Sequence, residues 1–65
     1  MKIEVNGEAR EVNSATVSDA LQELGWANAR VATALNGTFV PAAARDDTPL
    51  TAGDRLEVLA PMQGG

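Results

Sequence analysis

The first residues of the chain alternate between apolar and polar side chains. Residues 2–5, Lys-Ile-Glu-Val, follow the period of two that is typical of a strand with one buried face. Asn6-Gly7 comes next, and this dipeptide tolerates positive φ at both central positions of a type I′ turn. The pattern therefore predicts a hairpin whose second strand covers residues 8–12, with Arg10 opposite Ile3.

Helical spacing replaces the alternation after residue 15. Apolar residues now recur at one-turn intervals on a single stripe, and they are Val17, Ala20, Leu21 and Leu24. Thr16 is suited to the N-cap of a helix, and Gly25 is suited to the left-handed residue that follows a helix end. We therefore predict an amphipathic helix from Thr16 to Leu24 that packs its apolar stripe on the sheet, with Trp26 partly buried beside its end.

The strand pattern returns in the second half of the chain. It predicts strands over residues 31–35 and 38–40, joined by a second type I′ signal at Asn36-Gly37. Pro41 ends the fourth strand and marks it as a sheet edge, because proline cannot donate a ladder hydrogen bond. After a polar connection the alternation resumes over residues 55–60 and predicts a fifth strand.

A hairpin, a helix, a second hairpin and a final strand leave few topologies for a chain of 65 residues. The right-handed crossover rule places the last strand beside the first and parallel to it. The result is an α+β fold, the ubiquitin-like β-grasp, with a five-stranded mixed sheet in the order 2-1-5-3-4 and one helix across one face. Leu50 is expected to fill the core. Residues 1–60 are predicted to form this domain, and residues 61–65 a flexible C-terminal Gly-Gly tail.

Composition removes several kinds of chemistry. The chain has no Cys and no His, so it lacks a thiol nucleophile, the usual general base and the commonest zinc ligands. A core of this size also leaves no room for an enclosed substrate pocket of about 300 Å³. We therefore expect the chain to act without catalysis of its own and without a bound metal or cofactor.

The charge balance and the N-terminal pattern bear on partners and location. A net charge of −4 argues against nucleic acid, whose phosphates are bound by Lys and Arg. A charged residue within the first alternation argues against a signal peptide, and no apolar stretch is long enough to span a bilayer. We therefore expect a cytoplasmic protein, monomeric when free, with protein partners and with neither nucleic acid nor membrane among them.

Two glycines, Gly64 and Gly65, close the chain. They have no turn to make and no helix to end, which are the usual structural reasons for glycine. Because they lack a Cβ, they could pass the carboxylate down a channel too narrow for any side chain. A frayed terminus is the alternative explanation. The carboxylate of Gly65 is the candidate reactive group, and Met62, Gln63 and Gly64 are the candidate channel segment.

An apolar patch is predicted near the point where the tail leaves the sheet. The alternation puts Ala34, Phe39 and Leu59 on the face away from the helix, and a two-residue turn puts Ala34 directly opposite Phe39. Apolar groups beside a protruding end are typical of a docking surface. We therefore predict that these three residues contact a protein partner.

Several short segments, taken together, match a known family. They are Val5-Asn6-Gly7-Glu8, Thr16-Val17 through Leu21, Ala34-Leu35-Asn36-Gly37, Phe39-Val40-Pro41, Gly53-Asp54-Arg55-Leu56-Glu57 and Ala60-Pro61-Met62-Gln63-Gly64-Gly65. Each segment alone is common, but their order and spacing are specific. Over essentially its whole length the chain resembles the ThiS family, the bacterial sulfur carrier proteins of thiazole synthesis in thiamine biosynthesis. Ala42 departs from the family pattern, which often has a basic or polar residue there, and this bears on partner contact.

The resemblance implies a route by which sulfur reaches Gly65. An adenylating enzyme of the ThiF type would use ATP and magnesium to convert the Gly65 carboxylate into an acyl-adenylate. Sulfur delivered as a persulfide by a cysteine desulfurase system would displace AMP and leave a thiocarboxylate, which passes to thiazole synthase. Gly64 would be the slender neighbour of the covalent site, with Gln63 and Met62 as channel contacts. The chain would then be a co-substrate and not an enzyme.

Other functions fit the same residues. The sulfur carrier subunit of molybdopterin synthase has the same fold and ending, although such chains are longer around the helix and the middle loop. Carriers for other sulfur-containing metabolites, a ubiquitin-type protein modifier, and a β-grasp interaction or RNA-binding module without carrier chemistry also stay open.

Overall fold

The strands and the helix occur in the predicted order. The computed structural model describes residues 1–27 and 29–60, and the tail predicted over residues 61–65 lies outside them. The elements are β1 (Lys2–Val5), β2 (Glu8–Glu11), α1 (Val17–Glu23), β3 (Ala32–Leu35), β4 (Thr38–Val40), a 3₁₀ helix (Ala42–Asp47) and β5 (Arg55–Leu59). β2, β3 and β5 are each one residue shorter than the prediction, although beyond β2 the Val12 N–H still donates to the Met1 carbonyl at 2.9 Å and the Met1 amino group donates to the Val12 carbonyl at 2.8 Å.

The sheet has five strands in the order β2-β1-β5-β3-β4, which confirms the predicted β-grasp topology. β5 runs parallel to β1 and antiparallel to β3, so the last strand lies in the middle of the sheet. Each hairpin has the predicted register, with Ile3 opposite Arg10 and Ala34 opposite Phe39. The register matters because a slip of one residue would turn every core side chain to the other face.

Both hairpin turns have the predicted conformation. Asn6 and Gly7 have φ angles of 51° and 87°, and Asn36 and Gly37 have φ angles of 52° and 85°. Positive φ at both central residues is the type I′ geometry, whose twist matches that of the flanking strands. These two dipeptides therefore account for the short connections and for the register of each hairpin.

The core lies between α1 and one face of the sheet. Its buried hydrophobic members are Ile3, Val5, Val12, Val17, Ala20, Leu21, Val40, Leu50, Leu56 and Val58. Leu50 is among them, as predicted. Val31 and Leu35, which were expected to face the helix, are half-buried and pack against the cluster. Ala60 is exposed although the alternation predicts that it shares the buried face, because β5 ends one residue earlier.

Capping contacts define both ends of α1. The Asp19 N–H donates to Thr16 Oγ1 at 3.2 Å, which confirms Thr16 as the N-cap. At the other end Gly25 has a φ angle of 98°, and the Trp26 N–H donates to the Leu21 carbonyl at 2.7 Å. These features form a Schellman motif. Trp26 is half-buried against the core, so it supports the helix end as predicted.

Side-chain amides of the two turns extend the pairing of β5. Asn6 Nδ2 donates to the Val58 carbonyl at 3.1 Å, and Asn6 Oδ1 accepts from the Val58 N–H at 2.9 Å. On the other side of the strand, Asn36 Oδ1 accepts from the Arg55 N–H at 2.9 Å. Each amide takes the place of a strand partner just beyond the end of its own hairpin strand. β5 is therefore held by both neighbours along most of its length.

Two carboxylates tie loops together by accepting hydrogen bonds. Glu23, at the end of α1, accepts from the Ser14 hydroxyl at 2.5 Å and from the Asn13 N–H at 2.9 Å. Asp54 accepts from the Thr51 N–H at 2.8 Å within the turn before β5. Hydrogen bonds favour the charged form of a carboxylate. The Ser14 hydroxyl and then the Asn13 N–H lower the pKa of Glu23, and the Thr51 N–H is the main cause that lowers the pKa of Asp54.

The substitution Asn6→Gly tests the amide contact with β5. Glycine keeps the positive φ of the turn, so the change removes both hydrogen bonds to Val58 without straining the backbone. We expect the free energy of unfolding, measured by urea denaturation, to fall by about 1–2 kcal/mol. Asn13→Gly is the control, because the Asn13 side chain makes no hydrogen bond to the residues that the structure describes. Equal losses in the two variants would contradict the assigned role of Asn6.

Acid is expected to weaken the fold through Glu23 and Asp54. Their folded-state pKa values lie below the ordinary values of 4.5 and 3.8, so the unfolded chain binds protons more readily. Their contribution to stability is therefore present above those ordinary values and is lost as the pH falls through the folded-state values. The urea midpoint of the unsubstituted protein should decline from about pH 7 to about pH 3. The Glu23→Gln variant should have a lower midpoint at about pH 7, and its midpoint should decline less over the same range. The same decline in both proteins would exclude Glu23 as a source.

Candidate functional site

The predicted site begins at the end of β5. β5 lies between β1 and β3, so its last residue, Leu59, is in the middle of the sheet and not at an edge. Ala60 follows and is the last residue that the structure describes. The predicted reactive segment lies outside the described residues, and its role stays a prediction. Its members are Met62, Gln63, Gly64 and Gly65.

The structure brings Ala34, Phe39 and Leu59 together on the sheet face away from α1, and we call these three residues the apolar patch. Phe39 is 65% exposed and Leu59 is 70% exposed, whereas Ala34 is half-buried. Ala34 pairs with Phe39 on β4, and Ala32 pairs with Leu59 on β5. β3 therefore separates the two large side chains. Because its alanines are small, a depression forms between Phe39 and Leu59.

A shallow depression of about 180 Å³ lies within the apolar patch. Its lining consists of Ala32, Thr33, Ala34, Phe39, Glu57 and Leu59. Pockets for small molecules are larger, about 300–1,000 Å³, so this depression suits a single side chain that protrudes from a protein partner. Glu57 is the charged residue of the lining.

The exposure of Phe39 and Leu59 favours a binding role for the apolar patch. They are the large hydrophobic side chains that are exposed in the described part of the chain, and only β3 lies between their strands. Single exposed apolar residues are ordinary on protein surfaces, whereas adjacent ones mark interaction sites. Full burial of a Phe or Leu side chain contributes about 1.5–3 kcal/mol. A partner that covers both residues would therefore gain substantial affinity.

A second depression, of about 780 Å³, shares Leu59 and Ala32 with the first. Its lining consists of Ala29, Arg30, Val31, Ala32, Ala42, Arg45, Leu59 and Ala60, and we call it the arginine groove. The 3₁₀ helix supplies one wall, the segment that leads into β3 supplies another, and the end of β5 supplies the third. The sequence analysis missed this groove, because its residues come from three separate segments and no periodic pattern joins them.

Acidic residues do not form a comparable cluster. Across residues 1–27 and 29–60 no group of three or more His, Cys, Asp or Glu side chains is placed to hold a metal ion. Asp46 and Asp47 are exposed on the 3₁₀ helix, and Asp54 is bonded within its own turn.

Across residues 1–27 and 29–60, no helix has the length and apolar character that crossing a membrane requires. Of the two depressions, the arginine groove is lined in part by Ala60, and Leu59 lines both.

Comparisons with known proteins agree with one another. A family model described as the ThiS family matches residues 3–65. The sulfur carrier protein ThiS of Thermus thermophilus is 39% identical over 61 residues, which are 94% of this chain and 95% of that protein. The crystal structure of a thiamine biosynthesis protein (ThiS) from Geobacter metallireducens has a TM-score of 0.83 at 36% identity and covers 100% of both chains. An NMR structure of a thiamine biosynthesis protein from the same organism has a TM-score of 0.81 at 35% identity, covering 100% of this chain and 88% of that one.

The substitution Leu59→Ser tests the apolar patch. Because Leu59 is exposed, we expect the free energy of unfolding to change by no more than about 0.5 kcal/mol. The sequence analysis predicts an adenylating enzyme as a partner, and loss of Leu59 burial against that enzyme should weaken binding by about 10- to 100-fold. Isothermal titration calorimetry measures the affinity.

Arg55→Ser serves as the control for Leu59→Ser, because Arg55 is exposed at the opposite end of the same strand. It should leave the affinity within about twofold of the unsubstituted protein. If Leu59→Ser binds as well as the Arg55→Ser control, the apolar patch is not part of the interface.

Proposed function

The chain belongs to the ThiS family, the sulfur carrier proteins of thiamine biosynthesis, and we propose that it holds the transferred sulfur as a thiocarboxylate at Gly65. One observation carries the proposal: the family match runs over residues 3–65 and so includes Gly64-Gly65. The similarity to the Thermus thermophilus sulfur carrier over 95% of that protein gives further support.

The first proposed step activates the Gly65 carboxylate. A carboxylate resists nucleophiles because it is anionic and lacks a good leaving group. An adenylating enzyme of the ThiF type transfers AMP from ATP to a carboxylate oxygen and releases pyrophosphate, and magnesium on that enzyme neutralises the phosphate charge. The acyl-adenylate at Gly65 then has AMP as its leaving group. ATP and magnesium are bound by the enzyme, and the carrier supplies only the acceptor oxygen.

The second proposed step replaces oxygen by sulfur. The terminal sulfur of a persulfide, supplied by a cysteine desulfurase system, attacks the acyl carbon and expels AMP. A thiol then breaks the sulfur–sulfur bond and becomes part of a disulfide, and the thiocarboxylate is left on Gly65. The carrier has no Cys, so none of its own side chains competes for the persulfide. Thiazole synthase is the proposed acceptor of the sulfur.

The described part of the fold supports this role, because the chain enters the reactive segment directly after Ala60, at the end of a central strand. Residues 61–65 follow Ala60, and five extended residues reach about 16 Å. Gly64 has no side chain to obstruct a narrow channel, while Leu59 and Phe39 are exposed close to the start of the segment. The chain therefore acts as a protein co-substrate, and we place it in the cytoplasm, where ATP and the persulfide donor are available.

Intact-mass measurement tests the proposed function. The protein is incubated with ATP, magnesium, its cognate adenylating enzyme and a persulfide donor. We expect a mass gain equal to the replacement of one oxygen by one sulfur, which is the change that the proposed second step makes at Gly65. Fragmentation should place the gain on the C-terminal residue.

A variant that lacks Gly65 is the control and should show neither the mass gain nor turnover of ATP. A second arm adds thiazole synthase with its other substrates and follows the return of the carrier to its original mass. Absence of any adduct on the full chain, with an enzyme shown to adenylate another carrier, would reject carrier chemistry. An adduct that thiazole synthase does not discharge would reject the thiazole step alone.

A further inference from the structure

Two of the five basic side chains of this acidic protein line the same groove. The chain has a net charge of −4 with five Lys and Arg residues in total, yet Arg30 and Arg45 both line the arginine groove beside Ala60. The other lining residues are alanines, a valine and a leucine. A cationic groove on an acidic molecule is complementary to a ligand that is apolar and carries negative charge.

Arg45 is fixed in place by hydrogen bonds to uncharged groups. Its Nε donates to Thr33 Oγ1 at 3.1 Å, and its Nη2 donates to the Val31 carbonyl at 2.5 Å. The Thr33 hydroxyl is buried and donates in turn to the Val40 carbonyl at 2.8 Å. A guanidinium has five N–H donors, so Arg45 keeps donors for a further acceptor. The side chain is therefore held rigidly without neutralisation of its charge.

Neither arginine of the groove has a carboxylate partner within residues 1–27 and 29–60. The ion pairs there join the amino group of Met1 to Glu11 and join Arg10 to Glu8. Arg30 is exposed and Arg45 is half-buried. A half-buried cation without a counter-ion loses solvation that a carboxylate could replace.

The length of the reactive segment keeps any partner that holds Gly65 near this region. With Gly65 in an enzyme active site, five extended residues keep the enzyme within about 16 Å of Ala60. Ala60 lines the arginine groove, and Leu59 belongs both to the groove and to the apolar patch. An enzyme surface that contacts the patch at Leu59 is therefore adjacent to the groove.

We propose that the arginine groove is a second part of the docking surface and receives a segment of the adenylating enzyme that carries an Asp or Glu side chain between apolar residues. This inference rests on the proposed function. The carboxylate lies between Arg30 and Arg45, and the apolar neighbours contact the alanines of the groove and Leu59. The apolar patch supplies contact area, and the charged groove determines how the carrier is oriented when Gly65 enters the active site.

Charge reversal at Arg30 tests the proposal by steady-state adenylation kinetics. Arg30 makes no hydrogen bond to the described residues through its side chain, so Arg30→Glu should fold with an unchanged urea midpoint. We expect the KM for the carrier to rise about tenfold, because two like charges then meet. The kcat should change by less than about twofold, since the reacting atoms are untouched. Arg30→Lys, which keeps the charge, should retain most of the affinity.

Arg55→Glu is the matched control, because it changes the net charge equally at the far end of β5. It should leave the KM within about twofold of the unsubstituted protein. Raising the salt concentration should increase the KM of the unsubstituted protein and of Arg55→Glu, and should not increase that of Arg30→Glu. Equal effects of the two reversals, or no effect of either, would overturn the proposal.

Two NMR comparisons on the free protein identify other occupants of the groove. Signals of Ala29 and Ala42 that shift with protein concentration would assign the groove to a second copy of the chain. Signals that shift when Gly64 and Gly65 are deleted would assign it to the chain's own terminus. Either result overturns the proposal. Failure of the proposed function is distinct, because the unsubstituted protein would then not be adenylated at any concentration.

Discussion

The central position of β5 is the constraint on which the rest of the structure depends. This strand is last in the chain, yet it joins the two hairpins, because β1 and β3 pair with it and not with each other. The two turn asparagines reinforce the junction, since Asn6 and Asn36 bond to its backbone from opposite sides. Leu56 and Val58 place its inner face in the core. The segment proposed to carry sulfur therefore starts from the central strand of the sheet, which is paired on both sides.

The same strand organises the proposed binding surface through its alternation of inward and outward side chains. Leu59 faces outward because Val58 faces inward, and the pairing with β3 places it across from the small side chain of Ala32. Phe39 reaches the same face from β4. The arginine groove adds charge on the next stretch of surface, where Arg45 is held through the buried hydroxyl of Thr33. The apolar patch, the arginine groove and the start of the reactive segment thus all lie at the end of β5 that carries Leu59.

Local rules explain what could be predicted from the sequence. Period-two patterns, Asn-Gly turns and the helix stripe are contacts between near neighbours, and they predicted the topology, the register of both hairpins and most of the core. The apolar patch followed from the same alternation. The amides of Asn6 and Asn36 and the anchoring of Arg45 were missed, because each depends on a side chain that meets backbone far along the chain. No periodic pattern in the sequence indicates such contacts. Alternation was also a poor guide at the end of β5, where Ala60 is exposed although the pattern predicts that it is buried.

The position of β5 at the end of the chain also determines when the protein can fold during its synthesis. Before residues 55–59 are available, the two hairpins have no strand to bridge them, and the inner faces of β1 and β3 lack the side chains of Leu56 and Val58. Domains emerge from the ribosome N-terminal end first, so folding here must wait for nearly the whole chain. A product that terminates before β5 would have neither a closed sheet nor the glycine pair Gly64-Gly65. Such a product would also lack the end of β5 and the residues Leu59 and Ala60 that line the two depressions beside it.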